Sequence, residues 1–257
     1  MSATTARRFG RTKALAALGA SLLLLPPWLL AKPRTRRARD RERRFYSRVA
    51  RGFLSDVKRS GAAAAGEGTL FVCNHISWLD IAVLGSLLDA DFIAKADVAD
   101  WPLVGPLSRR TGILLVKRDR RGDTAAQVEQ IGAKLRQGRS LVLFPEGTTS
   151  DGCAILPFRS SLFAAAAEAA RIQPIALCYS RRRGEPLDED EMRAVGWTGN
   201  EMLLPNAARV AGMRLSAEVR MLSPFEPEAG ASRKLIADRC REAIEEAYAA
   251  MRAGERA

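Results

Sequence analysis

The segment Asn74-His75-Ile76-Ser77-Trp78-Leu79-Asp80 holds the single histidine of the 257-residue chain, with a carboxylate five positions later. Histidine is the one side chain whose ordinary pKa lets it take and return a proton near neutral pH. General-base chemistry by an imidazole in this chain therefore falls to His75. Asp80 is the natural candidate to hold the other ring nitrogen, fix the tautomer and stabilise the imidazolium. On one continuous helix, five positions amount to about 500° of rotation, so the two would not share a face. His75 is therefore expected at or before a helix start, with Asp80 one turn inside.

The elements that must position this pair follow from hydrophobic patterning. Apolar runs of strand length cover Thr69–Cys73, Asp91–Lys95, Gly112–Val116, Ser140–Phe144, Ile172–Cys178 and Leu215–Leu222. Helical stretches fall between or after them: from the His75 segment to about Leu88, over 123–137 (Ala126, Val128, Ile131 and Leu135 inward), over the alanine-rich 157–171, and over about 231–252. The last carries Leu235, Ile236, Cys240, Ile244 and Met251 on one side. This alternation predicts an α/β fold, a single domain with a mixed, largely parallel sheet flanked by helices. Polar clusters follow three strands: His75 with Asp80, Lys117 to Arg121, and Pro145 to Ser150. Ligands of open α/β sheets gather at such strand ends.

The net charge of +12 is not spread evenly. Residues 1–60 hold sixteen Lys and Arg against three Asp and Glu, which leaves the remainder near neutral. Basicity confined to the N-terminus and bracketing a greasy segment argues against a nucleic-acid partner and for an anionic membrane surface. Residues 14–31 are apolar apart from Ser21, but Pro26-Pro27 interrupts them and their exit is a poor signal-peptidase site. A single spanning helix is the alternative, but positive charge on both flanks gives it no clear orientation, and a re-entrant or interfacial anchor with both basic flanks on the cytoplasmic face of the inner membrane fits best. An amphipathic helix over about 41–58, with Phe45, Val49, Phe53 and Val57 every fourth residue, continues the theme, whether it lies in headgroups or packs on the core. The expected organisation is an N-terminal membrane anchor over 1–60, a small linker Gly61–Gly68, and a catalytic domain over 61–257. The four cysteines form no CxxC pair, and with one histidine no metal site is expected.

Four ordered blocks resemble the glycerolipid (lysophospholipid) acyltransferases with an H-x4-D motif, the PlsC-like family. They are Asn74 to Asp80, Gly112 to Arg118, Phe144-Pro145-Glu146-Gly147-Thr148, and Gln173-Pro174-Ile175-Ala176, with Leu156-Pro157-Phe158-Arg159 matching a further element. The likeness covers about residues 68–180. It implies transfer of a fatty acyl group from a thioester, acyl-CoA or acyl-carrier protein, to a lysolipid hydroxyl, with no other cofactor. The leading acceptor is 1-acyl-glycerol-3-phosphate, giving phosphatidic acid. His75 would be the base and Asp80 its partner, with the helix N-terminus and nearby backbone N–H groups helping to stabilise the oxyanion of the attacked thioester. Arg118 would grip the headgroup, with Lys117 and Arg159 as weaker contributors, and Glu146, Gly147 and Thr148 would form an acceptor-binding loop. One departure stands out. Many members that acylate lysophosphatidic acid carry Arg where this chain has Thr149, and the run from Thr149 is similar to relatives that acylate lyso-ornithine lipid. A non-catalytic basic membrane-binding protein is the alternative of another class.

Overall fold

The computed structural model describes residues 12, 35–64, 67–95, 114–116, 121–199, 201–228 and 230–255. The expected apolar anchor over 14–31, the start of the Gly112–Val116 strand, and Lys117 and Arg118 lie outside them.

The chain enters through α1 (Arg36–Phe53), whose first turn is capped by the Thr35 hydroxyl accepting from Ala38 N at 3.2 Å. There follow β1 (Leu54–Ser60), β2 (Thr69–Cys73), α2 (Leu79–Leu87), β3 (Asp91–Lys95), β4 (Leu114–Val116), α3 (Arg121–Arg136), β5 (Leu141–Leu143) and β6 (Arg171–Arg181). The chain closes with α4 (Glu189–Val195), α5 (Leu203–Val210), β7 (Leu215–Met221) and α6 (Arg233–Arg252). The seven strands form one sheet in the order β1-β7-β6-β2-β5-β3-β4. Every neighbouring pair is parallel except β6 with β7. The expected α/β domain with a mixed, largely parallel sheet is therefore what the chain forms.

β2 and β5 are buried at every position, as continuous apolar strands covered on both faces should be. β2 lies between β5 and β6, with Leu70 beside Leu141 on one side and Ile172 on the other. Because these three strands run the same way, the segments leaving β2 and β5 emerge on one edge of the sheet. α2, apolar on nearly all sides, packs beneath α1. The approach is close: a Cβ on Gly85 would stand 2.4 Å from the Tyr46 ring. α6 starts at the Ser232 cap and lays Ile236, Cys240, Ile244 and Met251 in the core against β6.

Several expectations are corrected. The helix expected over 41–58 ends at Phe53, and Leu54–Ser60 is an edge strand parallel to β7. A spacing of four residues suits one face of a strand as well as one face of a helix, so Phe53 and Val57 carried the periodicity across the boundary. The Tyr46, Val49, Ala50 and Phe53 stripe is core, which makes α1 and β1 parts of the catalytic domain rather than an appendage ending at residue 60. The alanine-rich 157–171 is no α-helix but an extended stretch followed by two 3-10 turns, Ser160–Phe163 and Ala166–Glu168. Buried Ala165, Ala166 and Ala169 serve there as small contacts beside α3 and α6, so packing overrides helix propensity. Leu235 and Ala126 face solvent instead of the core. Two short helices, α4 and α5, have no counterpart in the sequence reading. Among the described residues no helix is long and apolar enough to cross a membrane.

Candidate active site

His75 leaves the end of β2 in an irregular turn, and α2 begins four residues later. Asp80 is therefore the second residue of α2, nearer its start than the full turn inside that was expected, and folds back on the histidine. His75 Nδ1 lies 2.7 Å from Asp80 Oδ2. The same oxygen accepts the N–H groups of Ile76 (2.7 Å) and Ser77 (2.9 Å), and Asp80 Oδ1 accepts the Tyr179 hydroxyl at 2.6 Å. Asp80, with 0% exposure, thus meets four donor groups: the His75 ring, two backbone N–H groups and a phenol. Facing that acceptor, Nδ1 carries the proton, so Nε2 presents its lone pair. Among the described residues Nε2 has no hydrogen-bond partner, and the ring is 14% exposed. The Ile76 and Ser77 N–H groups are committed to Asp80, so the sequence's offer of nearby backbone donors to an oxyanion does not extend to these two.

The imidazole plane is fixed as well. It stacks on Phe144 with centroids 3.9 Å apart and 15° between planes, and Phe144 in turn stacks on Phe92. Asn74 secures the strand end below: its amide donates to Leu177 O at 2.9 Å and its carbonyl accepts from Leu177 N at 2.8 Å. On the far side, Trp78 Nε1 donates to Asn206 Oδ1 of α5, and Trp197 N donates to Ile76 O. The turn between β2 and α2 is thus tied to β6, to α5 and to the loop before α5.

The Pro145 to Ser150 turn converges on the same place. Glu146, 2% exposed, accepts the His75 backbone N–H on Oε1 at 2.7 Å and the Leu156 N–H on Oε2 at 2.9 Å. Ser150 N returns a bond to His75 O at 2.8 Å. Burial pushes the Glu146 carboxyl up to about 7, against the lowering effect of its two N–H donors. The side chain expected to bind acceptor hydroxyls therefore braces the base's own backbone. Gly147, at φ +73°, closes the turn through its N–H to Phe144 O, a conformation that other residues resist. Thr148 is exposed at the rim, and Arg159, also exposed, is joined to the turn by its backbone N–H donating to Pro145 O at 2.9 Å. Thr149 donates its hydroxyl to Trp197 O. Lys117 and Arg118 lie outside the described residues.

Two participants had no signal of their own in the sequence. Phe144 and Tyr179 each end an apolar strand, where an aromatic residue reads as core; only the proximity of strand ends in the folded sheet brings them to His75 and Asp80. Burial raises the Tyr179 phenol and the Cys73 thiol well above their usual ranges, with Asp80 adding to both. Both groups therefore stay protonated at neutral pH.

An imidazole held through Nδ1 by a buried carboxylate, with Nε2 open at the end of a parallel strand, is an arrangement able to take a proton from a substrate group in an α/β enzyme. The family model described as Acyltransferase matches residues 55–179, a span that includes His75, Asp80, Glu146 and Tyr179. A lyso-ornithine lipid O-acyltransferase of Brucella abortus is 36% identical over 243 residues, 91% of this chain and 90% of that one. A 1-acyl-sn-glycerol-3-phosphate acyltransferase of Neisseria gonorrhoeae is 33% identical over 120 residues, 46% of this chain and 47% of that one. The crystal structure of the 1-acyl-sn-glycerophosphate acyltransferase PlsC of Thermotoga maritima superposes with a TM-score of 0.71 at 16% identity, over 98% of both chains. The chain belongs to the Acyltransferase family and is an acyltransferase.

Proposed function

We propose that the chain is a lysolipid O-acyltransferase that esterifies the free hydroxyl of a lyso-ornithine lipid with a fatty acyl group from acyl-CoA or acyl-carrier protein. The reaction half rests on the His75–Asp80 geometry. An alkyl hydroxyl is a poor nucleophile until its proton is removed. His75 Nε2 takes that proton as the oxygen attacks the thioester carbonyl, while Asp80 stabilises the imidazolium. Collapse of the tetrahedral intermediate expels the thiolate, which recovers the proton from His75. The products are the ester and the free thiol, and no residue of the chain becomes acylated.

The acceptor half rests on how far the likeness extends. The Brucella relative so named matches over nine tenths of both chains. Thr149 agrees with it: the position offers a hydroxyl bound to Trp197 O, not a guanidinium for a phosphate. Losing one charge-assisted contact would weaken phosphate binding by about 1.5–3 kcal/mol. The Neisseria relative favours a second reading, in which 1-acyl-glycerol-3-phosphate is the acceptor. In either case Arg118 is proposed to grip the headgroup, with Lys117 and Arg159 beside it. The arginine-rich N-terminus is proposed to hold the enzyme to the anionic cytoplasmic face of the inner membrane.

The test is an acceptor panel. Full-length protein is offered lyso-ornithine lipid or lysophosphatidic acid with acyl-CoA or acyl-carrier protein, and the ester product is measured. Turnover with a higher kcat/KM on the ornithine lipid, abolished by His75→Ala, is expected. Preference for lysophosphatidic acid overturns the acceptor assignment, and near-normal turnover by His75→Ala overturns the mechanism.

A further inference from the structure

We infer that Tyr179 is a positioning residue of the acyl-transfer reaction, setting both the orientation and the basicity of His75 through Asp80. The inference rests on the reading of His75 as general base. Tyr179 sits near the C-terminal end of β6, 99 residues from Asp80 in sequence, and its hydroxyl donates to Asp80 Oδ1 at 2.6 Å. Both side chains are buried.

The geometry divides the carboxylate between two duties. Oδ2 takes the His75 ring and two backbone N–H groups of the turn before α2, whereas Oδ1 faces the phenol. Backbone donors alone fix one oxygen and leave the carboxylate free to pivot about it. The phenol supplies the second fixed point, on a strand that Asn74 already ties to the catalytic turn. It is also the one side-chain donor other than His75 that Asp80 has among the described residues.

A donor on Oδ1 draws negative charge away from the oxygen that faces the imidazole. The imidazolium is then stabilised less than it would be by a carboxylate without that donor. That matters for a base that must be unprotonated at neutral pH before each turnover. Among the described residues, the other ionisable groups around His75, Asp80 and Tyr179 are Glu146 on the His75 backbone, Cys73 at the end of β2, Cys178 on β6 and Tyr248 on α6. Cys73 and Tyr248 are held protonated by burial. Of these, Glu146 is the group pushed into the working range, to about 7, by burial. It touches the His75 backbone rather than the ring, so the phenol acts on the imidazole by a separate route.

Tyr179→Phe keeps the ring in its slot and removes only the donor. With His75 the sole histidine, one imidazole resonance in the NMR spectrum reports its titration without ambiguity. The expected result is a His75 pKa raised by about half a unit, an acidic limb of the kcat profile displaced by the same amount, a drop in kcat of roughly tenfold, and an unchanged KM. A purely structural tyrosine would lower the melting temperature and leave the titration and the pH profile in place, and that result overturns the inference. Should Tyr179→Phe fail to fold, replacing the chain's tyrosines by 3-fluorotyrosine keeps shape and hydroxyl while strengthening the donor. It should move the His75 pKa downward, and no movement overturns the inference. His75→Ala, run alongside, separates the two failures: if it remains active the base is misassigned, and if it is inactive while Tyr179→Phe behaves as wild type, only the role of Tyr179 falls.

Discussion

Glu146 Oε1 accepts the backbone N–H of His75 at 2.7 Å across 71 residues of sequence, so the two most distinctive motif blocks of the chain meet as a carboxylate and a peptide group. The second oxygen of Glu146 holds Leu156 N at the other side of the turn. Glutamine in its place would aim an amide N–H at one of those two donors. Glu146→Gln is therefore expected to loosen the base's backbone and lower kcat by about a hundredfold, with a loss of roughly 1–3 kcal/mol in stability. Steady-state kinetics and urea melts of the variant measure both. A kcat within twofold of wild type would show that the brace is dispensable.

Asp80 offers a sharper test because its partner is the imidazole proposed as the base. In Asp80→Asn the amide can present N–H where Oδ2 accepted, and the imidazole then turns its lone pair toward residue 80 and its proton toward the substrate. The wrong tautomer costs about 10³–10⁴ in kcat in triads built on the same principle. The expected outcome is a loss of that order with KM changed little. An equal loss in kcat/KM arising from KM would assign Asp80 to binding instead.

What the sequence made legible tracks how completely each residue's role is written in its neighbours. β2 and β5 read clearly because five and three consecutive buried residues leave no alternative period. That His75 precedes the helix was legible from rotation alone, but α2 begins at Leu79, later than a full turn before Asp80. The boundary at Phe53 was not, because a four-residue repeat serves helix and strand alike. Nor was the fate of 157–171, where close packing beside α6 outweighs the preference of alanine for helix. Tyr179 and Phe144 were invisible as site residues for a different reason. Their function arises from strands adjacent in the sheet but distant in the chain, and no local pattern encodes that adjacency. Glu146 was found, but its bonds to His75 N and Leu156 N were not, since sequence shows which carboxylate is present and not which way it points.

The membrane-facing role of the N-terminus can be tested without cutting into the core. Deleting residues 1–60 would remove α1 and β1, and with them the Tyr46, Val49 and Phe53 packing. Arg43, Arg44, Arg48 and Arg51 are instead exposed on α1 and can be changed alone. Each cation near an anionic surface contributes about 1 kcal/mol. The fourfold change to glutamine should therefore weaken sedimentation with vesicles rich in phosphatidylglycerol at low salt. The difference should vanish as ionic strength rises, since screening removes it. Equal sedimentation of both proteins at low salt would place the membrane contact elsewhere.

Glu42 links α1 to pH. Burial, then the negative charge of Asp91, pushes its carboxyl from 4.5 up to about 7, and Arg39 offsets this only in part. A carboxyl whose pKa is raised on folding favours the native state while protonated. That contribution is fully present below about 4.5 and is lost as pH rises through about 7. A shift of this size corresponds to at most about 3 kcal/mol, and partial exposure of the side chain reduces it. Glu42→Gln keeps the shape of the protonated form and cannot ionise. Urea melts of the two proteins should therefore coincide near pH 4.5 and separate steadily to pH 8, with the variant the more stable by about 1–3 kcal/mol. Parallel stability curves over that interval would mean that Glu42 ionises in the folded protein as readily as in the unfolded chain.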